Sequence, residues 1–212
     1  MNMKRCDNGQ KERRRPDVSE RYDIRLSGSG GQGIILMGII LAEAIGIYDG
    51  KYVAQTQSYG PEARGGSSKA EVVVSDNEID YPKALKLDLL VAMDQKACDD
   101  YYMDLKPDGI LIVDTTFVKQ IPIARSYQIP FTRIAREKFK REMVANIIAL
   151  GVITRLTSIV SPRAIESAVL SRVPKGTEKL NRDALKAGMA AASKVQKIPF
   201  PEIPKEHEDE DT

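Results

Sequence analysis

Apolar positions are sparse and aperiodic through residues 1–21, and the chain then switches abruptly into a short strand-like run at residues 22–27 that ends in glycines. From residue 34 to 46 apolar residues cover nearly the whole circumference of a helix, Leu36, Ile40 and Ala44 among them, as suits a helix packed on a sheet. Residues 52–57 read as a second strand, and residues 70–75, with Val72, Val73 and Val74, as a third. Residues 87–93 and 110–114 are near-continuous apolar runs, the signature of parallel strands buried on both faces. A helix is expected between those two, at 95–103, with Pro107, Asp108 and Gly109 turning the chain into the later strand.

Past Pro130 the pattern changes to helices. One is expected over 143–159, a second opens at Ser161 and Pro162 as N-cap and first-turn proline and runs to about Ser171, and a third is capped by Thr177 and runs to Lys197. The alternation predicts an α/β fold: an open, mostly parallel, Rossmann-like sheet with helices on both faces and a helical C-terminal part. The expected domain spans residues 22–198. Residues 1–21 form a basic tail, expected to be disordered, and residues 199–212 a proline-rich acidic one.

Composition narrows the function classes. Apolar residues make up 42% and charged residues 29% of 212, ordinary for a folded globular chain. Lys and Arg number 32 against 30 Asp and Glu, so the net charge of +2 gives no global field for gripping nucleic acid. The longest apolar stretch, residues 34–42, falls short of the about 20 residues a membrane span needs, and a cytoplasmic protein is expected. Cys6 and Cys98 stand far apart without metal-ligand spacing, so no iron-sulfur cluster or zinc site is expected here. The sole histidine, His207, lies in the acidic tail, which leaves no core imidazole for general base catalysis.

Two loops carry the candidate chemistry. Gly28, Ser29, Gly30, Gly31, Gln32 and Gly33 fit GxGxxG between a strand and a helix, where backbone amides and the helix amino end can approach a phosphate. The same glycines could instead make a tight turn that packs the helix on the sheet. A dinucleotide site also needs an acid at the end of the second strand, and Gln55, Thr56 and Gln57 stand there, so NAD is disfavoured. After that strand, Ser58, Tyr59, Gly60, Pro61, Glu62, Ala63, Arg64, Gly65 and Gly66 form a loop expected beside the first one. Arg64 could clamp a phosphate or a partner's carboxylate with Glu62 holding it, or the two could pair only with each other.

GxGGQG opening an apolar helix, then QSYGPEARGG and an AEVVVS strand, resembles the gamma subunit of 2-oxoacid:ferredoxin oxidoreductases. The intact string from Gln57 to Gly66 is most similar to the 2-oxoglutarate branch, and the resemblance covers roughly residues 22–197, including Ala145 to Gly151. It implies a subunit of an enzyme that decarboxylates a 2-oxoacid on thiamine diphosphate, passes electrons through iron-sulfur clusters to ferredoxin and makes an acyl-CoA. Thiamine diphosphate, magnesium and the clusters are then expected on alpha, beta and ferredoxin-like delta partners, since this chain has neither a GDG signature nor a cysteine set. In that reading no catalytic residue or metal ligand lies here. Coenzyme A would contact Gly28, Gly30, Gly31, Gln32 and Gly33, with Ser58, Glu62, Arg64, Gly65 and Gly66 as the adjoining wall. A purely structural subunit of the same complex, and the pyruvate or branched-chain version of the enzyme, stand as alternatives.

Overall fold

The computed structural model describes residues 21–59, 67–122 and 125–195. Both tails and the loop bearing Glu62, Arg64, Gly65 and Gly66 lie outside them.

Six strands form one sheet: β1 (Tyr22–Ser29), β2 (Tyr52–Tyr59), β3 (Ser67–Ser75), β4 (Leu87–Ala92), β5 (Leu105–Asp114) and β6 (Ser126–Ile129), in the order β2-β3-β1-β4-β5-β6. β1, β4, β5 and β6 pair in parallel, while β3 runs antiparallel to both β1 and β2. Five strands therefore point one way, and only β3 opposes them. The mostly parallel expectation holds, with one departure from a Rossmann order: β2 reaches the sheet as the outer arm of a β2–β3 hairpin instead of lying beside β1.

Alternation along β1 assigns the two faces. Ile24 and Leu26 join Val72, Val74, Leu89 and Val91 under α1 (Ile34–Glu43), in the larger core shared with α4 (Ala145–Thr157), α5 (Pro162–Arg172) and α6 (Glu178–Lys194). On the opposite face Leu90, Ala92, Leu111 and Val113 pack against Ala97 and Cys98 of α2 (Gln95–Tyr101). Arg25, also on that face, is buried between Glu71 at 2.8 Å and Asp104, with its guanidinium 4.8 Å from the Tyr101 ring centre. Burial alone would push Glu71 up, but Arg25 and Lys69 outweigh it and hold the carboxyl below its ordinary range.

Several local expectations are corrected. The turn expected at Pro107 to Gly109 lies inside β5, which starts at Leu105 and bulges between the pairings Leu87 with Leu105 and Leu89 with Ile110. β6 was not expected at all. The first helix ends at Glu43 and is continued by a wider turn over Ala44–Tyr48; α2 ends at Tyr101, and a tighter turn follows over Tyr102–Asp104. Ser161 caps α5 as expected, accepting from Ala164 N at 3.1 Å, and Asp49 in turn accepts from Ser161 N and Oγ at 2.7 Å each. Thr177 sits at the start of α6 but gives its backbone no side-chain cap: its hydroxyl donates to Pro174 O at 2.7 Å and accepts from Asn181 Nδ2 at 3.0 Å. α3 (Phe131–Ile134) is short and anchored from below: the wholly buried Asp114 accepts from Thr132 N at 3.0 Å and Thr132 Oγ1 at 2.6 Å.

α4 and α6 run side by side at unusually close range. A Cβ on Gly151 would lie 2.2 Å from Leu185 O, and one on Gly188 would lie 2.0 Å from Ile148 O. These two glycines set the distance between the helices, since any side chain at either would strike a neighbouring backbone.

Candidate functional site

The chain leaves β1 through α1 on one face towards β2, and leaves β4 through α2 on the other face towards β5. β1 and β4 are neighbours, so the crevice at their carboxyl ends is the switch point where α/β sheets bind ligands. The first glycine loop sits there. β1 ends with Ser29 opposite Ser67, and β2 ends with Tyr59 opposite Ser68, so the connection from Tyr59 to Ser67 springs from the same edge of the sheet. Ser58 is therefore on this edge, as expected.

Within the loop the structure distinguishes the motif's positions. Gly28 belongs to β1, opposite Ser68, and a Cβ there would lie 2.3 Å from Gln32 Oε1. Gln32 folds its carboxamide back under the loop, accepting from Ser29 N at 2.7 Å and donating to Met93 O at 3.1 Å. Its own amide donates to Ser29 O at 3.3 Å. Gln32 is thus an internal brace joining the ends of β1 and β4, and Gly28 is the space that admits it. Gly31 and Gly33 have φ of 91° and 74°, a region natural to glycine, and a Cβ on Gly33 would strike Asn146 Nδ2 at 2.4 Å. Gly30 is the exposed tip.

Two residues at the crevice escaped the sequence reading. Asp94 caps α2, accepting from Ala97 N at 2.7 Å, and its other oxygen accepts from the Ser29 hydroxyl. Its signal was legible: an Asp between an apolar strand and a helix is an N-cap pattern. Asn146, buried near the start of α4, donates to Gly33 O at 3.4 Å and ties α4 to the glycine loop. A lone amide in the apolar first part of a helix was the signal there.

The amino ends of α1, α4 and α6 meet on this side. They enclose a groove of about 130 Å³ whose walls include Leu36, Val144, Ile147 and Leu180, with Arg141 on its lining. Leu36 and Met143 are 39% and 73% exposed. α1 has neither a side-chain cap nor an acid in its first turn, so its positive end is uncompensated by its own residues, whereas at α4 Asn146 Oδ1 accepts from Ile147 N at 2.8 Å and the preceding turn carries Glu142. Arg141 adds a full charge, and such an arrangement favours an anion that carries an apolar arm.

Two side chains that could act as nucleophiles, Ser29 and Cys98, are not activated by their surroundings. Ser29 has a carboxylate neighbour but no imidazole or amine placed to take its proton. Burial, then Asp99, pushes the Cys98 thiol up to about 11, which leaves it a poor nucleophile. Among the described residues no group of three or more His, Cys, Asp or Glu could hold a metal, and no helix is long and apolar enough to cross a membrane.

Comparison with known proteins agrees with this geometry. The family profile described as pyruvate ferredoxin/flavodoxin oxidoreductase matches residues 23–191. The chain is 52% identical over 182 residues to the 2-oxoglutarate synthase subunit KorC of Methanocaldococcus jannaschii, covering 84% of this chain and 97% of the relative. It is 49% identical to the subunit of the same name from Methanothermobacter thermautotrophicus, over 81% and 95% of the two chains. The crystal structure of a keto/oxoacid ferredoxin oxidoreductase gamma subunit from Geobacter sulfurreducens superposes with a TM-score of 0.77 at 47% identity, covering 84% of this chain and 99% of that one. The chain therefore belongs to the pyruvate ferredoxin/flavodoxin oxidoreductase family, among the gamma-type subunits of the 2-oxoacid:ferredoxin oxidoreductases.

Proposed function

We propose that this chain is the gamma subunit of a 2-oxoglutarate:ferredoxin oxidoreductase, which converts 2-oxoglutarate, coenzyme A and oxidised ferredoxin into succinyl-CoA, carbon dioxide and reduced ferredoxin. The observation that carries the reading is the 52% identity to a 2-oxoglutarate synthase subunit over 97% of that subunit's length. Thiamine diphosphate, magnesium and the iron-sulfur clusters belong to alpha, beta and delta partners. This chain's contribution is assembly and the approach of coenzyme A along its carboxyl edge.

The coenzyme A role is supported by the chemistry of that edge. Phosphates are drawn to the uncompensated amino end of α1 and to Arg141, and an apolar arm suits the groove between Leu36 and Leu180. Gly30 and Gly31 are the exposed loop positions left to face such a ligand, with Gly33 opening α1 behind them against Asn146, while Gly28 and Gln32 hold the loop in shape. Ser58 stands on the same edge, and Glu62, Arg64, Gly65 and Gly66 complete the proposed wall from the connecting loop.

A second reading, a purely structural subunit, is favoured by one observation. Gln32 and Asn146 explain Gly28 and Gly33 without any ligand. Hydrogen exchange in the assembled complex separates the two. If coenzyme A protects the backbone amides of residues 30–36, the binding role stands; if protection there is unchanged on adding coenzyme A, the structural role replaces it.

A further inference from the structure

The two edges of the sheet are built differently. β6 is four residues long and is bracketed by Arg125 and Pro130, and shortness, charge and proline are the usual means of blunting an edge. β2 is twice as long, and Lys51, which precedes it, is taken up in an ion pair with Asp76 at 3.1 Å. It is eight residues long, carries no proline and no charged side chain, and keeps unbroken register with β3 from Tyr52 opposite Ser75 to Tyr59 opposite Ser68. Among the described residues no strand lies on its outer side.

Exposed apolar side chains gather at the same place. The wide turn after α1 lies over the start of β2, with Gly46 directed at Val53, and it presents Ile47 at 73% exposure and Tyr48 at 45%. Tyr52, at the first position of β2, is 54% exposed. An open strand edge flanked by bare apolar side chains is an interface pattern.

We propose that β2 pairs antiparallel with β2 of a second copy of this chain, joining the two six-stranded sheets into one continuous sheet across a two-fold axis. Two features select a second copy. The strand is free of charge, so an antiparallel copy brings only neutral side chains opposite one another, whereas a strand built for one foreign partner would gain register from complementary charge. The blunted β6 edge then stops growth at two copies, so the assembly closes. A two-fold axis normal to the sheet sets one residue opposite its own counterpart. Full overlap of β2 places that residue at Gln55, with Tyr52 opposite Ser58 of the other copy, or at Thr56, with Val53 opposite Tyr59.

Sedimentation equilibrium of the full chain tests this. The expected mass is about 47 kDa, twice 23.5 kDa. A variant with Ala54→Lys and Thr56→Lys sets lysines directly opposite one another in either register and should sediment as a monomer, with circular dichroism showing an intact fold. Independently, single cysteines Gln55→Cys and Thr56→Cys, each made with Cys6→Ser, should show one of the two cross-linking to itself under mild oxidation. A chain that is monomeric at every concentration, a folded lysine variant that stays dimeric, or the failure of both cysteines to cross-link would each overturn the proposal. So would protection of the β2 amides that appears only when the catalytic subunits are added, which would give the edge to them.

Discussion

Substituting Gly28 by alanine tests whether the first glycine of the motif exists to house Gln32. The added Cβ would lie 2.3 Å from Gln32 Oε1, 3.0 Å from Met93 Cβ and 3.1 Å from Ile34 Cδ1. The carboxamide must move, which breaks its bonds to Ser29 N at 2.7 Å and to Met93 O at 3.1 Å. Two neutral hydrogen bonds are worth about 1 to 3 kcal/mol together, and the tight contacts with Met93 and Ile34 add about 1 to 2 kcal/mol. Gly28→Ala alone should therefore cost about 2 to 5 kcal/mol. Gln32→Ala loses the same two bonds and should cost about 1 to 3 kcal/mol. In the double variant the hydrogen-bond loss is counted once, and the new methyl group enters space that Oε1 has left. The two changes should be non-additive, with a coupling of about 1 to 3 kcal/mol. Urea unfolding of the four proteins, followed by circular dichroism, measures it. Additive costs would refute the reasoning, because Gly28 would then be required for something other than Gln32.

Gly188→Ala forces a methyl group to within 2.0 Å of Ile148 O, a backbone atom, and should destabilise by about 3 kcal/mol, seen as a lowered urea midpoint with unchanged slope. Glu71, held low by Arg25 and Lys69, contributes stability that is present above its ordinary value of 4.5 and is lost as pH falls through its depressed folded value. Glu71→Gln should therefore be less stable at neutral pH, by about 3 kcal/mol, and its urea midpoint should fall less on acidification than that of the unaltered chain. Arg64→Ala, measured in a complex shown by gel filtration to be fully assembled, should raise the KM for coenzyme A about 10-fold or more and leave that for the 2-oxoacid nearly unchanged.

What was legible in the sequence was what local physics dictates. The apolar runs of β4 and the end of β5 are buried on both faces and read as strands. The helix after the glycines is apolar almost all round because the sheet, α4 and α5 surround it. Ser161 and Pro162 opened a helix because an N-cap and a first-turn proline act within four residues. What could not be read depended on partners distant in sequence. β6 has only four residues, and its strand state comes from pairing with β5. The place of β3 between β1 and β2 is a choice of partner that no periodicity encodes. At the site, the glycine motif and the end of β2 were found where expected, but the role of Gln32 depends on the Met93 carbonyl, 61 residues away. The groove was invisible because it joins α1, α4 and α6, whose separate patterns report only that each has a buried face.

The central claim, that this chain is a non-autonomous part of a 2-oxoglutarate-specific enzyme, is tested most directly by an add-back assay of coenzyme A-dependent viologen dye reduction. The isolated chain should reduce no dye with any 2-oxoacid. Catalytic partner subunits lacking it should be inactive or nearly so, and adding it back should restore a rate that is higher with 2-oxoglutarate than with pyruvate. Activity of the isolated chain, full activity of the partners without it, or a restored enzyme that prefers pyruvate would contradict the account.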